Sequence, residues 1–337
     1  MKQWITVAPW FINENPEWIP KYIELIGHKF IYVPANYEHD RSRNYTSLNQ
    51  WIDYLKHGVR AWFKKAPWDN DVGYITAFPQ LPIILGLIKK IIKSERHIIA
   101  WMFNLGQTYG GIKGKLARYS LRNVNYFIVH SRAEIYSYSQ WLDIPKERFI
   151  FVPLAIKIRT VTYSENFDAP FVFAMGSANR DYRLLFAAVE KLGYRTIVVA
   201  SEHATAGLRR PANVSILKNL SLEECHRLCQ QAKVNVIPVD NSVTASGQVT
   251  LLETMMYGKA LVATRCAGTV DYIEDGKTAL LVDGKDLTAL GDAIEDLWNS
   301  PEKRRQLGVA SKEYIENNVS FAGVASAMAE ILSRKTT

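Results

Sequence analysis

The chain has 337 residues, 48% hydrophobic and 22% charged, and this length and composition predict a soluble globular protein of about two domains. No apolar run reaches the roughly 18 residues of a membrane span, and the opening MKQWITVAPWF is too short and interrupted for a secretory signal, so a cytoplasmic location is expected. Three cysteines without framework spacing exclude a disulfide scaffold.

The net charge of +8 is unevenly distributed along the chain. Residues 1–157 hold 21 Lys and Arg against 12 Asp and Glu, a net of +9, and the remainder has a net of −1. Eight of the nine tryptophans also lie in the first half. This combination favours an anionic membrane surface as a partner of that half. Nucleic acid is the other candidate, but none of its binding motifs is present, so no nucleic-acid partner is expected.

In the first half, short apolar strands alternate with helices. Strands are predicted at 2–9, 28–34, 71–78, 97–103, 126–131 and 148–154, and helices at 17–27, 81–94, 116–123 and 133–143. The alternation indicates a parallel sheet covered on both faces. The helix LPIILGLIKKIIKS (81–94) has two interpretations, a membrane-surface helix with Lys89, Lys90 and Lys93 or a core helix, and its place between strands favours the core.

The second half repeats the pattern after a polar linker at 156–170. Strands are predicted at 170–176, 196–201, 214–217, 234–239, 260–264 and 279–282, and helices at 181–192, 221–232, 248–256, 286–298 and 320–334. The fold class is therefore α/β, with two Rossmann-like βαβ domains facing a cleft. We expect a first domain at 1–157, a second domain at 158–318, and a final helix within 319–337 that packs back towards the first domain. No G-x-G-x-x-G follows the first strand of either half, which disfavours a Rossmann dehydrogenase.

The first candidate site lies in FVFAMGSANRDY, where a strand ends at Gly176 and a helix begins near Asp181. Backbone amides at such a turn bind anions, and Arg180 could reach a phosphate there. The alternative is a routine loop with a surface Arg–Asp pair.

The second candidate site is SGQVTLLETMMYGKALVAT (246–264). The amides that open this helix are free to bind a diphosphate, and they belong to Ser246, Gly247, Gln248, Val249 and Thr250. A carboxylate on so apolar a helix is costly unless it meets a ligand, and Glu253 could accept hydrogen bonds from the vicinal hydroxyls of a ribose. The alternative is an acid at the solvent edge.

A third cluster is Cys225, His226 and Cys229 on one predicted helix. A metal site would need a second ligand group, which is missing, so two buried thiols beside a surface histidine are expected and no metal.

The second half resembles the retaining glycosyltransferases of the GT-B fold, in the large family 4 that includes sucrose synthases and bacterial mannosyltransferases. The resemblance is carried by SGQVTLLETMMYGKALVATRCAGTVDYIEDGKTALLV, GSANRDYRLLFAAV and NVSILKNLSLEECHRLCQQAKVNVIPV, and in the first half by YSLRNVNYFIVHSRAEIYSYSQWLDIPKERFIFVPL. It implies that the domain at 1–157 binds the acceptor and that the domain at 158–318 binds the donor. It also implies that the donor base is held near Leu217 and Lys218. Two positions depart from the family pattern: Ala245 replaces the first of two glutamates, which commonly contacts the sugar, and Ser177 replaces a phosphate-loop arginine. Arg183 or Lys218 could supply the second cation.

This resemblance further implies transfer from a nucleotide-diphosphate sugar, expected to be a UDP-sugar, to a glycan or lipid-linked acceptor, with retention of anomeric configuration and without metal or other cofactor. Arg180 would stabilise the departing diphosphate. His130, at a strand end in FIVHSRAE, could touch the sugar or the acceptor, or be a structural histidine. Asn104 and Gly106, in WMFNLGQTYGG, are candidates for acceptor binding. Such an enzyme would act in surface polysaccharide or glycolipid assembly, as a peripheral protein at the inner membrane face. Alternatives are a sugar-nucleotide epimerase of the same fold and a non-catalytic nucleotide-sugar-binding paralogue.

Overall fold

The chain forms two compact units, each built on one parallel sheet. The computed structural model describes residues 2–38, 46–65, 71–105, 108, 110–240 and 245–334. Unit 1 consists of two segments, the residues up to Pro153 and those from Val324 onward. Unit 2 is Leu154–Gly323.

The sheet of unit 1 has six parallel strands in the order β2-β1-β3-β4-β5-β6. These strands are β1 (Lys2–Val7), β2 (His28–Val33), β3 (Val72–Ala77), β4 (His97–Trp101), β5 (Tyr126–Val129) and β6 (Phe149–Phe151). The helices between them are α1 (Leu48–Trp62), α2 (Gln80–Ile92), α3 (Gly111–Leu121) and α4 (Arg132–Leu142). The crossovers from β2 to β6 all run in one direction across the sheet, so right-handed connections place α1 to α4 on one face.

Two segments of unit 1 differ from the sequence prediction. The expected helix at 17–27 is only a 3-10 turn, Ile19–Tyr22, because the backbone is extended on both sides of it, at Trp18 and at Ile23. Helix α1 was not predicted, although Ser47 and Gln50 form a capping box at its start. The prediction of a core helix at 81–94 is confirmed, since Leu81, Ile84 and Leu85 are buried in α2.

The sheet of unit 2 has six parallel strands in the order β12-β11-β10-β7-β8-β9. They are β7 (Val172–Met175), β8 (Thr196–Val199), β9 (Val214–Leu217), β10 (Val234–Ile237), β11 (Leu261–Thr264) and β12 (Leu280–Val282). The helices are α5 (Tyr182–Leu192), α6 (Glu202–Thr205), α7 (Leu222–Gln231), α8 (Gln248–Met256), α9 (Leu287–Asn299) and α10 (Pro301–Asn318), the last of which was also missed. The final helix, α11 (Ala325–Ser333), belongs to unit 1 and packs on the Ile19–Tyr22 turn.

The tryptophans of the first half are mainly core residues, which corrects the expectation that they mark a membrane surface. Trp4, Trp18, Trp62 and Trp101 are at most 3% exposed, and Trp10, Trp51 and Trp141 are partly buried. Trp68 lies outside the described residues. Within the described ranges, no helix combines the length and the hydropathy of a transmembrane span.

Candidate functional site

The candidate donor site of unit 2 lies where the strand order of its sheet reverses. The chain runs outward from β7 to β9 and then returns to the other side of β7 with β10. Loops at the carboxyl ends of two strands that flank such a switch point form the usual ligand crevice of an open α/β sheet. Here these loops are 176–181, after β7, and the described part of the segment that leads into α8.

The loop after β7 turns sharply at Gly176, whose φ is +109°. A Cβ at this position would lie 2.6 Å from Arg180 Nη2, so glycine makes room for the guanidinium. Asp181 caps α5 through a 2.9 Å hydrogen bond from the Leu184 amide. The aspartate is therefore a helix cap, and the surface Arg–Asp pair considered from the sequence is absent among the ion pairs of the described residues.

Among the described residues, the Arg180 guanidinium is bound only to neutral oxygens. Nη2 donates to Thr250 Oγ1 at 3.0 Å, and Nη1 donates to the Ala178 carbonyl at 2.6 Å. In the part of the chain that the structure describes, no carboxylate lies within 4 Å of Arg180. Burial lowers the pKa of this guanidinium, because the cation has lost water without gaining a counter-charge. A cation in this state is suited to bind an anion.

The amino end of α8 faces Arg180 through Thr250. Gly247 is its N-cap residue, with φ +83°, and it has no side chain to cap the helix. Ser246 Oγ instead accepts a 2.8 Å hydrogen bond from Asn179 Nδ2 of the other loop. Helix amino ends present backbone amides to anions, so the structure brings Arg180 and this anion-binding terminus together.

Gly268, in the loop after β11, packs closely against the backbone of Ser246. A Cβ on Gly268 would lie 2.1 Å from the Ser246 carbonyl oxygen and 2.6 Å from its nitrogen. No larger residue fits without moving Ser246. Neither Gly268 nor Asn179 was predicted as a site residue, although both lie in segments that carry the family resemblance.

Glu253 lies one turn further along α8 than Thr250, with its side chain largely buried. Its Oε1 is 3.2 Å from His226 Nε2 on α7. His226 is 5% exposed, so the expectation of a surface histidine beside the two cysteines is wrong. The helix packing of α7 on α8 turns this ring inward, where it also meets the edge of Tyr257 at 5.5 Å between ring centroids. The binding of a ribose by Glu253 stays a prediction.

The remaining donor-site candidates lie at different distances from Arg180. Leu217 ends β9, two strands away from β7, which corresponds to roughly 10 Å. Lys218 Nζ lies 3.4 Å from Glu202 Oε2 at the surface. Ser177 Oγ accepts a 2.8 Å hydrogen bond from the Ser201 amide and so ties its loop to the end of β8. Ala245, in the place of the family's first glutamate, is buried.

The acceptor-side candidates lie in unit 1, at the carboxyl ends of β4 and β5. His130 is 4% exposed, and its Nδ1 donates to the Val152 carbonyl at 2.7 Å. Burial lowers its pKa to about 4, so the ring is neutral at pH 7. Asn104 is partly buried in the loop after β4, next to Leu105, whose amide donates to Tyr138 Oη at 3.0 Å. Gly106 lies outside the described residues. The contact of these residues with an acceptor stays a prediction.

Comparison with known proteins locates the strongest similarity in unit 2. A family model described as "Glycosyl transferases group 1" matches residues 170–300. The GDP-mannose-dependent alpha-(1-6)-phosphatidylinositol monomannoside mannosyltransferase of Mycolicibacterium smegmatis is 33% identical over 85 residues, which are 25% of this chain and 22% of that protein. The D-inositol 3-phosphate glycosyltransferase of Corynebacterium diphtheriae is 35% identical over 95 residues, which are 28% of this chain and 22% of that protein. The matched region thus spans about a fifth of the length of these curated relatives.

Structural similarity extends over both units. The crystal structure of Anabaena Alr3699/HepE in complex with UDP superposes with a TM-score of 0.69 at 13% identity, covering 99% of this chain and 100% of that one. At this identity the likeness establishes the fold alone. Residues 170–300 are therefore similar to a glycosyl transferase group 1 domain, and the chain has the two-sheet GT-B fold.

Proposed function

We propose that the protein is a retaining glycosyltransferase that uses a nucleotide-diphosphate sugar. The observation that carries the proposal is the Arg180 guanidinium, partly buried, without a described carboxylate partner, and in contact with the uncapped amino end of α8. The diphosphate of the donor would supply the counter-charge of Arg180 and would accept hydrogen bonds from the backbone amides at the amino end of α8. Glu253, one turn along the same helix, would accept hydrogen bonds from the ribose hydroxyls.

The same arrangement supports the chemistry of the transfer. The bond between the anomeric carbon and the diphosphate oxygen breaks as the acceptor hydroxyl oxygen attacks from the same face, and the acceptor proton passes to the departing phosphate oxygen. Negative charge grows on the diphosphate during this step. Arg180 and the α8 amides would stabilise that charge more in the transition state than in the bound donor, which accelerates the reaction.

For the donor we expect a UDP-sugar, as the sequence resemblance implies. The Anabaena structure contains UDP, whereas the Mycolicibacterium smegmatis relative is named as GDP-mannose-dependent. Titration calorimetry with UDP and GDP distinguishes the two. Absence of binding by either nucleotide would contradict the proposed donor class.

The test of the diphosphate site compares two arginines at the start of α5. Arg180→Ala is expected to lower turnover by about two orders of magnitude, in the range measured when one donor to a developing negative charge is removed. Arg183 is exposed, and Arg183→Ala is the matched control, with turnover expected within about twofold of wild type. If Arg180→Ala turns over normally and Arg183→Ala does not, the diphosphate cation is Arg183 and the proposed site is wrong.

For the acceptor we propose a lipid-linked molecule, reached at an anionic membrane surface. The support comes from exposed apolar residues on the outer face of α1 rather than from the tryptophans. These side chains are 39–78% exposed and recur every three or four residues. They are Leu48, Ile52, Leu55, Val59 and Phe63. On the same face of the sheet, α3 exposes Ile112 and Leu116 beside the exposed Lys113 and Lys115. Apolar stripes flanked by lysines are typical of helices that bind membrane surfaces.

Vesicle flotation tests the membrane proposal. Ile52→Ser/Leu55→Ser should release the protein from vesicles that contain phosphatidylglycerol, because the apolar contact with the acyl boundary is lost. Val270→Ser/Val309→Ser, at exposed positions of unit 2, is the control and should float like wild type. If wild type does not bind these vesicles at low salt, the acceptor is soluble.

A further inference from the structure

One pocket of unit 1 lies at the amino ends of its strands, away from the acceptor-side candidates. It has a volume of about 590 Å³, within the usual range for small-ligand sites. His97 and Tyr126, which line it, are the first residues of β4 and β5. Asn104 and His130 follow the other ends of these two strands. Strands of four or five residues separate the two locations by roughly 13–16 Å.

The pocket is strongly basic. Five cations line it against one carboxylate, Glu95, and they are Lys89, Lys90, Lys93, Arg122 and Arg148. Arg122 also pairs with Asp143 at the surface. Lysines at helix carboxyl ends commonly offset the helix dipole, and α2 and α3 both end here. Each end contributes only about half a negative charge, so the two together do not neutralise the five cations.

Two of these cations are held in fixed positions by neutral groups. Lys89 Nζ donates to Asn125 Oδ1 at 3.1 Å, and the same oxygen accepts from the Ile98 amide at 3.0 Å. Arg148 Nε donates to the Asn125 carbonyl and its Nη2 to the Arg122 carbonyl, both at 3.1 Å. The chain therefore orients Lys89 and Arg148 without supplying a counter-charge.

Partial burial makes this arrangement costly for the protein alone. Within the described ranges, no carboxylate lies within 4 Å of Lys89, Lys90, Lys93 or Arg148. Burial lowers the pKa of Lys89 to about 8 and also lowers the pKa of Arg148. An anion in the pocket would restore the missing counter-charge. Because the lining groups are ammonium and guanidinium donors, a tetrahedral oxyanion with several acceptor oxygens fits them best.

We propose that this pocket binds a phosphate group through Lys89, Lys90, Lys93 and Arg148. It is a site separate from the donor diphosphate site of unit 2, and it does not depend on the proposed transfer reaction. The phosphate could belong to a soluble molecule or to a lipid head group, and the experiment below distinguishes these sources.

The probes are inorganic pyrophosphate, followed by ³¹P NMR and calorimetry, and phosphatidic acid vesicles compared with phosphatidylcholine vesicles. All measurements are made on the Arg180→Ala background without added nucleotide, so that the donor diphosphate site contributes little and no second phosphate competes for the pocket. The test variant is Lys90→Gln/Lys93→Gln, since both side chains are exposed and their loss should not affect folding. The control is Lys21→Gln/Lys29→Gln, which removes two exposed charges elsewhere in unit 1.

The double variant is expected to weaken binding by roughly tenfold or more, the effect of losing charged hydrogen bonds to the anion, while the control binds like the background protein. Loss of pyrophosphate binding identifies a soluble ligand, and loss of vesicle binding with pyrophosphate unchanged identifies a lipid head group. If the test and control variants bind both probes equally, or if the background protein binds neither, the proposal is refuted.

The pH dependence of binding provides a second readout that needs no variant. Lys89 is surrounded by Glu95, Arg148 and the other pocket cations, and the pKa of His97 is lowered to about 4 by burial, so this ring stays neutral. An anion binds the charged form of Lys89 more tightly. With sulfate as the probe, whose charge does not change in this range, affinity should therefore be constant between pH 6.5 and 7.5 and fall by up to about tenfold per pH unit above pH 8. Constant affinity from pH 7 to 9.5 would remove Lys89 from the site.

Discussion

Replacing Gly268 with alanine tests whether the Ser246 turn is part of a donor site. The new Cβ would lie 2.1 Å from the Ser246 carbonyl oxygen, whereas side-chain carbons are not found closer than 3.0 Å to such an atom. Ser246 or Gly268 must therefore move by about 0.9 Å. Forced overpacking of this kind destabilises a protein by about 1–3 kcal/mol. A displacement near 1 Å at a reacting site costs about 10²-fold in rate.

The decisive comparison is with Gly308→Ala. A Cβ on Gly308 would lie 2.1 Å from the Gly258 carbonyl oxygen, an equally severe clash at the opposite end of α8. Both variants should lose similar amounts in the free energy of urea unfolding. Only Gly268→Ala should also lose at least tenfold in nucleotide affinity and about 10²-fold in turnover. Equal nucleotide affinity and turnover in the two variants would show that the Ser246 turn does not hold the donor.

Three further predictions concern other groups. Glu253→Ala should weaken nucleotide binding by about 1.5–3 kcal/mol, whereas His226→Ala, which keeps the carboxylate, should weaken it less. If calorimetry shows no loss of affinity for a folded Glu253→Ala protein, Glu253 is not part of the site. Transfer is expected to proceed without metal, so EDTA should change the rate by less than about twofold, and a larger loss that Mn²⁺ restores would contradict this. Burial lowers the pKa values of His57, His97 and His130 to about 4, so below pH 6.5 the unfolded chain binds protons that folded unit 1 does not. The free energy of unfolding of unit 1 should therefore fall by up to about 3 kcal/mol per histidine between pH 6.5 and 4, followed by tryptophan fluorescence, and a pH-independent value would place these rings in solvent.

The sequence was sufficient for the sheets because their strands are short apolar runs with helices between them, and each predicted strand of the two sheets is present. Helix α10 was not predicted because it is mostly polar and its apolar periodicity is weak. Helix α1 was not predicted although its apolar periodicity and its capping box of Ser47 and Gln50 both mark it in the sequence. The predicted helix at 17–27 failed because the Pro20 segment returns to extended backbone after one turn. Local propensity does not reveal this tertiary arrangement.

Among the site residues, Arg180 and the start of α8 could be placed together because both follow strands of one sheet. The contact between Glu253 and His226 could not be predicted, since it depends on how α7 rotates against α8. The support of Ser246 by Gly268 is equally invisible in sequence, because only a close approach of two loops makes the glycine necessary.

The division of unit 1 along the chain has a consequence for biosynthesis. Helix α11 packs on the Ile19–Tyr22 turn, but unit 2 separates the two segments. On the ribosome, unit 2 is a continuous segment that can fold once it has emerged, whereas unit 1 must wait for α11 with part of its surface uncovered. Completion of unit 1 is thus a late, long-range loop closure, and a nascent chain stalled before residue 324 would depend on chaperones to protect that surface.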